Sequence, residues 1–302
     1  MKKKYVFLIL LVIILLIICI FYIKNNTLTT PPAQTNLQLE EQRRQLKERL
    51  KASNPEKTTI IELEMVFVQG GTFTMGCTSE QGKDCDDDEK NIHEVTVGDF
   101  YISKYETVQG QWKAIMGNNP SHFTKGYNYP VEQVSWFDIV GTTGASTVIS
   151  GVRYYEDGFI YKLNKLTGKL YRLPTEAEWE FAARGGTRSK GFRYSGGNML
   201  DSVGWFVENS EKSTHPIGAK SPNELGLYDM SGNVWEWCSD WFSSDYYTNS
   251  PHNNPTGPVT GSDRVFRGGC IFFYARYARI SFRNSGNPGL RHINVGFRLA
   301  SN

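Results

Sequence analysis

The residues of this chain that could carry redox or nucleophilic chemistry are its five cysteines. Cys19 lies in an apolar N-terminal run, whereas Cys77 and Cys85 bound a short polar loop and could pair in an oxidising compartment. Cys238 and Cys270 are far apart in the sequence, which leaves open whether they meet. No CxxC motif or zinc-type spacing occurs, so a structural zinc site is not expected.

The histidines and acidic residues form no recognisable catalytic motif. Glu176, Glu178 and Glu180 lie on a predicted helix where they should point in different directions, which favours helix capping over acid–base catalysis. An iron site with two histidines and one carboxylate stays open, because its ligands can converge from distant positions. The five histidines are dispersed and lack HExxH or HxD/E spacing: His93, His122, His215, His252 and His292.

Composition indicates a globular, loop-rich protein. The 302 residues include 29 glycines and 13% aromatic residues, which argues against wholesale disorder. The formal net charge is only +2, and the basic residues are scattered among acidic ones. A nucleic-acid partner is therefore not expected, since such domains concentrate basic charge on one face.

The N-terminal residues 1–24 predict a membrane anchor. Lys2, Lys3 and Lys4 precede an unbroken apolar stretch over residues 5–23, and Lys24 follows it. At about 1.5 Å per residue, this helix would nearly span a hydrocarbon core of about 30 Å. The charge asymmetry places the N-terminus in the cytoplasm and the rest outside, in the envelope of a bacterial cell. A cleaved signal peptide and a lipoprotein signal ending at Cys19 are the alternatives.

Residues 25–58 predict a linker followed by a helical stalk. Pro31 and Pro32 lie in the linker, and Leu39, Leu46 and Leu50 share one face of the following helix. Fewer than three heptads are visible, which favours a solvated stalk over an oligomerising coiled coil.

Residues 59–302 predict an α+β domain with little regular secondary structure. Strand-like patterns occupy residues 65–68, 72–75 and 94–97, and helical spacing occupies residues 106–116. The clearest helix is expected over residues 175–184, with a threonine cap, early glutamates and a Gly-Gly stop.

A series of long motifs in this domain resembles the formylglycine-generating-enzyme, or sulfatase-modifying-factor, family. The resemblance covers nearly all of residues 60–300 and implies a fold related to C-type lectins. Residues 141–161 match no part of the family's core and are interpreted as an insertion. The matching strings are GGTFTMG (70–76), YETV (105–108), PVEQVSW (130–136), YRLPTEAEWE (171–180), GLYDMSGNVWEW (226–237), RVFRGG (264–269) and GFR (296–298).

The resemblance implies a copper oxidase site that this chain has lost. The family's enzyme holds copper with two cysteines, and soft thiolates suit reduced copper. Phe273 and Ala278 occupy those two positions here, and Cys270 stands three residues before the first. Neither copper binding nor oxidase activity is therefore expected.

The resemblance also implies a calcium site in residues 229–236. The matching ligands are Asp229, Gly232, Val234 and Glu236, two of them through backbone carbonyls. Calcium takes six to eight oxygen ligands, and an Asp-Gly-Asn turn can present several. The alternative is a tight structural turn that places Trp235 and Trp237 in the core.

The composition of residues 264–300 resembles the variable region of proteins diversified by a retroelement. The segment contains no Lys, Glu, Gln, Met or Trp, and repeated Arg, Ala and Gly separate residues reachable from Asn or Ser codons by adenine changes alone. Arg276, Arg279, Arg283 and Arg298 are assigned to the scaffold. The expected ligand-facing residues are Phe266, Cys270, Ile271, Phe272, Phe273, Tyr274, Tyr277, Ile280, Phe282, Ser285, Gly286, Gly289, Leu290, His292 and Ile293.

Three functions follow from these patterns. The first is an anchored extracytoplasmic protein that binds a macromolecular surface ligand, protein or glycan, through this aromatic segment. The second is an oxidase-type enzyme in which Cys270 replaces the usual thiols. The third is a structural component of an envelope complex. The missing cysteine pair disfavours the second, and the compositional gap favours the first over the third.

Overall fold

The structure, a computed structural model, describes residues 63–302, which form an α+β domain of short elements joined by long loops. The strands are β1 Met65–Val68, β2 Gly71–Met75, β3 His93–Val97, β4 Phe100–Ser103, β5 Ser146–Ile149, β6 Val152–Tyr155, β7 Tyr171–Arg172, β8 Trp235–Trp241, β9 Arg264–Arg267, β10 Arg283–Gly286, β11 Val295–Gly296 and β12 Ala300–Ser301. The α-helices are α1 Gln109–Met116, α2 Trp136–Val140, α3 Phe159–Thr167, α4 Glu176–Ala183 and α5 Leu200–Val203.

Two four-stranded sheets organise the domain. The first has the order β1-β4-β12-β7, which brings the end of the chain between two strands from much earlier in the sequence. The second has the order β10-β9-β8-β11, and β11 is parallel to β8. β2 pairs with β3, and β5 pairs with β6, as separate two-stranded ribbons. The C-terminal segment therefore supplies strands to both sheets.

The strongest sequence patterns form the elements that they predict. The predicted strands correspond to β1, β2 and β3, and the helix predicted from residue 106 begins three residues later, at Gln109. In α4, the Thr175 hydroxyl accepts a hydrogen bond from the Glu178 amide, and Gly185 follows the helix with φ 93°. A left-handed conformation at this position favours glycine, which explains the stop.

The insertion at residues 141–161 forms the β5–β6 hairpin and the start of α3. Gly151 occupies the hairpin turn with φ 80°, next to Ser150 with φ 48°. Tyr154 is buried, and its hydroxyl accepts a hydrogen bond from the Leu173 amide. The insertion is thus attached to the core on one side.

Glu176 at the start of α4 joins the helix to the second sheet. Its carboxylate accepts hydrogen bonds from Arg267 at 2.5 Å and from Arg283 at 2.7 and 2.9 Å. These two arginines lie directly opposite each other on β9 and β10, where like charges would repel without an intervening anion. Burial alone would raise the pKa of Glu176, but the two guanidinium groups lower it to about 2.

The three glutamates of α4 do not all point in different directions, so that part of the sequence interpretation is wrong. Glu180 lies one turn after Glu176, on the same face, and also pairs with Arg267, at 2.5 Å. Glu178 faces Arg172 and accepts a hydrogen bond from the Thr175 amide, as expected of a capping residue. Two of the three carboxylates are therefore held in buried ion pairs.

A second buried pair connects the C-terminal segment to the loop between β2 and β3. Both Arg279 and Glu89 have fully buried side chains and are joined by contacts of 2.6 and 2.9 Å. The same loop carries a disulfide between Cys77 and Cys85, which confirms that these two cysteines can pair. The Cys85 sulfur also lies 3.1 Å from Arg279.

Within residues 63–302, no helix has the length and apolar character needed to cross a bilayer. The predicted anchor at residues 1–24, and the linker and stalk up to residue 58, lie outside the described residues and remain predictions.

We expect Glu176→Gln to lower the free energy of unfolding by about 3–5 kcal/mol. The substitution removes a negative charge, so that the buried guanidinium groups of Arg267 and Arg283 are no longer fully balanced. Chemical denaturation measures the change, and Asp87→Asn is the control because Asp87 and Lys90 form an exposed pair that should have no measurable effect. Equal stability of the two variants would contradict the structural role of Glu176.

Candidate functional site

The backbone of residues 270–274 is fixed by hydrogen bonds to other loops. The Ile271 amide donates to the Asn233 carbonyl at 3.0 Å, and its carbonyl accepts from the Ser210 hydroxyl at 2.8 Å. The Phe273 carbonyl accepts from the Val207 amide at 3.2 Å. The run is therefore held in place through its main chain.

Most of the residues predicted to face a ligand reach the surface. Tyr274 is 64% exposed and Phe273 is 36% exposed, and both are large aromatic side chains. We call the surface-reaching set the C-terminal patch. It comprises Phe272, Phe273, Tyr274, Tyr277, Ser285, Gly286, Gly289, Leu290, His292 and Ile293, all exposed or half-buried.

For the remaining predicted residues, the assignment as ligand-facing is wrong. Cys270, Ile271 and Ile280 are buried to 1% exposure or less and belong to the core. Phe266 and Phe282 are also buried, with exposures of 5% and 6%. These five side chains pack in the hydrophobic core, while other apolar side chains of the same segment face outward. The sequence does not distinguish the buried side chains from the exposed ones, because both groups are apolar.

Buried aromatic rings form the floor of the C-terminal patch. The Trp235 ring packs against the rings of Phe266, Phe273 and Phe282, with centroid distances of 5.4 to 5.9 Å. The Tyr277 ring meets Phe273 at 5.2 Å and Phe282 at 5.1 Å, both edge to face. Such pairs restrict the exposed rings, which lowers the entropy lost when they contact a partner.

The arginines assigned to the scaffold divide into two groups. Arg279, Arg283 and Arg298 are buried and paired with glutamates. Arg276 is exposed and pairs with Asp86 at 2.8 Å. Three of the four thus hold the segment to the core, and the fourth ties its surface to the loop between β2 and β3.

Some residues of the site were missed by sequence reasoning because they lie on distant loops. The Phe123 ring lies 6.4 Å from the Phe272 ring and extends the aromatic surface beyond the C-terminal segment. Ser210 and Asn233 fix the backbone of the segment. No local pattern in the sequence connects these positions to the patch.

The two free cysteines of the described residues are buried and poorly suited to metal or nucleophilic chemistry. Burial raises the pKa of Cys270 to about 12 and that of Cys238 well above its ordinary value. The Cys270 sulfur accepts a hydrogen bond from the Asn294 amide at 3.1 Å. Together with Phe273 and Ala278 at the family's cysteine positions, this arrangement does not fit a copper ion.

The donor set predicted for calcium does not fit that ion as the structure places it. Both Glu236 oxygens accept from Arg298 at 2.6 Å, and one also accepts from the Trp179 indole at 2.7 Å. Asp229 has one oxygen bonded to the Gly218 amide and one buried oxygen without a partner. No group of three or more ligating side chains that could hold a metal occurs within residues 63–302.

The turn at residues 229–236 instead has a structural role. Asp229, Gly232 and Asn233 all have positive φ, and the Asn233 amide group donates to Glu106 at 2.6 Å. Burial raises the pKa of Asp229 to about 6 and the pKa of Glu106 well above its usual range. The Arg298 guanidinium lowers both pKa values and balances part of the negative charge of this group.

Comparison with known proteins gives one consistent family. A family model described as the sulfatase-modifying factor enzyme 1-like domain matches residues 51–302. The chain is 38% identical over 198 residues to the formylglycine-generating enzyme of Streptomyces coelicolor, a match that covers 60% of this chain and 55% of that enzyme.

Two further proteins are similar over most of their length. The chaperone protein LppX of Paenibacillus barcinonensis is 34% identical over 271 residues, which cover 77% of this chain and 87% of that protein. The structure named Treponema denticola variable protein 1 is 31% identical and aligns with a TM-score of 0.65, covering 78% of this chain and 94% of the other.

We expect calcium to leave the thermal stability of the protein unchanged. A native-state site at a hundred times its Kd would stabilise the fold by about 2.7 kcal/mol. Thermal unfolding in millimolar calcium and in excess chelator, with and without Asp229→Asn, measures this. A calcium-dependent rise in Tm that Asp229→Asn abolishes would restore the calcium site.

Proposed function

Because the chain belongs to the family of sulfatase-modifying factor enzyme 1-like domains, we propose that it uses this scaffold to bind a macromolecular ligand rather than to oxidise a cysteine. The observation that carries the proposal is the C-terminal patch. Its aromatic side chains are exposed on a backbone that buried ion pairs and main-chain hydrogen bonds hold in place.

The division between scaffold and surface suits a protein whose contact residues change. Arg279, Arg283 and Arg298 of the C-terminal segment are buried in ion pairs, whereas Phe273, Tyr274 and His292 are exposed. Residues of this kind tolerate substitution, because exposed positions rarely alter stability by more than about 0.5 kcal/mol. The likeness to a protein named variable protein 1 supports the same hypothesis.

The ligand in this proposal is a protein or glycan on another surface. Tyrosine and phenylalanine give large contact area with little loss of side-chain freedom, which suits recognition of such partners. The two arginines that flank the patch in the sequence, Arg276 and Arg291, are paired with Asp86 and Asp138, which argues against the concentrated basic charge that nucleic acid requires.

The proposed location is outside the cytoplasm of a bacterial cell, with the N-terminal run as a single-pass anchor. The Cys77–Cys85 disulfide supports this location, since disulfides persist mainly in oxidising compartments. The apolar run and the lysines around it support the anchor and its orientation.

Sequencing codons 264–298 in many cells of one population tests the diversification directly. We expect variation at codons of the C-terminal patch, confined to positions derived from adenine, with the codons of Arg279, Arg283 and Arg298 unchanged. Codons 65–103 of the same cells are the internal control. An invariant segment across a population would overturn diversification and leave a binding protein of fixed specificity.

We expect the triple variant Phe273→Ser, Tyr274→Ser, His292→Ser to fold with a free energy of unfolding within about 1.5 kcal/mol of the original, as three exposed changes allow. Ile271→Ser is the matched control from the same loop. It should lose more than about 3 kcal/mol, because Ile271 is fully buried. Chemical denaturation distinguishes the two, and equal destabilisation would show that the patch is part of the core.

A further inference from the structure

A second concave surface lies between the inserted hairpin and the loop that precedes β9. This cleft has a volume of about 550 Å³, within the range of small-ligand sites. Thr142, Ser150 and Arg153 of the insertion line one side, and Arg264 lines another. None of its lining residues belongs to the C-terminal patch.

Arg264 is held rigidly in this cleft. Its guanidinium group lies between two indole rings, 3.8 Å from the Trp136 centroid and 3.4 Å from the Trp241 centroid. One nitrogen, Nη1, donates to the Ser239 carbonyl at 2.6 Å. Ring faces on both sides and one fixed hydrogen bond leave the guanidinium few ways to turn.

The positive charge of Arg264 has no anionic partner within the described residues. No carboxylate of residues 63–302 lies within ion-pair distance, and the buried Nε atom has no hydrogen-bond partner. Burial lowers the pKa of Arg264 to about 10, and the nearby Asp240 carboxylate offsets this fall only in part. A buried donor without a partner is unfavourable.

The rest of the cleft is also lined by a basic residue and by no acidic residue. Arg153 is exposed and donates only to the Ser146 hydroxyl, and no aspartate or glutamate lines the cleft. Two carboxylates of neighbouring segments are already engaged: Asp157 by Thr142 and Thr143, and Asp240 by the Glu176 amide and Ser239. The residues that line the cleft therefore carry two positive charges, on Arg153 and Arg264, and no negative charge, and a guanidinium group suits a carboxylate.

The walls indicate what carries that carboxylate. Phe137 is 41% exposed and Tyr155 is half-buried, so ring faces are available beside the charge. The hydroxyls of Thr142 and Ser150 can both donate and accept, as the hydroxyls of a sugar do. We propose that this cleft is a second binding site and that it takes a carboxylate-bearing sugar residue of an acidic glycan.

Titration calorimetry of the full-length chain with trigalacturonic acid, and with its fully methyl-esterified form, tests the proposal. We expect the acid to bind and the ester to bind roughly tenfold to a hundredfold more weakly, the equivalent of one charge-assisted hydrogen-bond pair. The two probes share the same sugar backbone, and the ester replaces each carboxylate with an uncharged methyl ester.

Variants locate the binding. Arg264→Lys keeps the charge but loses the planar fork, and we expect it to weaken binding of the acid at least about tenfold. Arg153→Gln changes an exposed side chain, leaves the fold intact, and should weaken binding a few-fold. The triple variant of the C-terminal patch is the matched control and should bind the acid as the original does.

Three results would overturn the proposal: no binding of the acid, equal binding of acid and ester, or unchanged affinity in both arginine variants. Thermal unfolding of Arg264→Lys checks that the variant is folded. If Arg264→Lys does not fold, the affinity of Arg153→Gln for the acid decides the test. If acetate at the same carboxylate concentration displaces the trisaccharide completely, the site recognises any carboxylate, and its assignment to sugars is wrong.

Discussion

Buried ion pairs between the C-terminal segment and earlier parts of the chain hold this domain together. Glu176 joins α4 to Arg267 and Arg283, while Glu89 pairs with Arg279 across nearly two hundred residues of sequence. Removing one partner of such a pair leaves a charge in a medium that solvates it poorly. These ion pairs therefore fix the position of the C-terminal segment, whichever residues occupy its exposed positions.

Because of this constraint, the position of the C-terminal segment in the fold does not depend on which side chains it exposes. Because arginines and main-chain hydrogen bonds fix the backbone, the exposed side chains of Phe273 and Tyr274 are not needed to hold the segment in position. A rigid loop that presents exposed aromatic rings loses little entropy on binding. The same arrangement explains how a fold built for catalysis in related proteins can serve recognition: the scaffold survives when the reactive residues are replaced.

The chain has the architecture of its family, and our proposal is that it lacks the family's copper chemistry. Phe273 and Ala278 stand where thiols would bind copper, and the remaining thiol of this region, Cys270, is buried with a raised pKa. At the turn of residues 229–236, Arg298 pairs with Glu236 and balances its charge within the protein.

The sequence by itself determined the family, strands β1, β2 and β3, helices α1 and α4, and the absence of cysteine at positions 273 and 278. These depend on residue type at fixed spacing: the capped helix at Thr175, for example, is specified by neighbours within one turn. Sequence also identified three arginines that the fold buries, since charged residues repeated among apolar ones must either face solvent or find partners.

Only the tertiary structure decided which apolar residues of the segment face outward. Ile271 and Phe273 are two positions apart and similar in hydrophobicity, yet one is in the core and the other on the surface. The difference arises from contacts with Ser210, Val207 and Trp235, which lie far away in the sequence. The cleft around Arg264 was equally invisible, because its two indole rings and the inserted hairpin meet only when the chain is folded. Burial and charge balance are properties of three-dimensional neighbours, and a single sequence does not specify those neighbours.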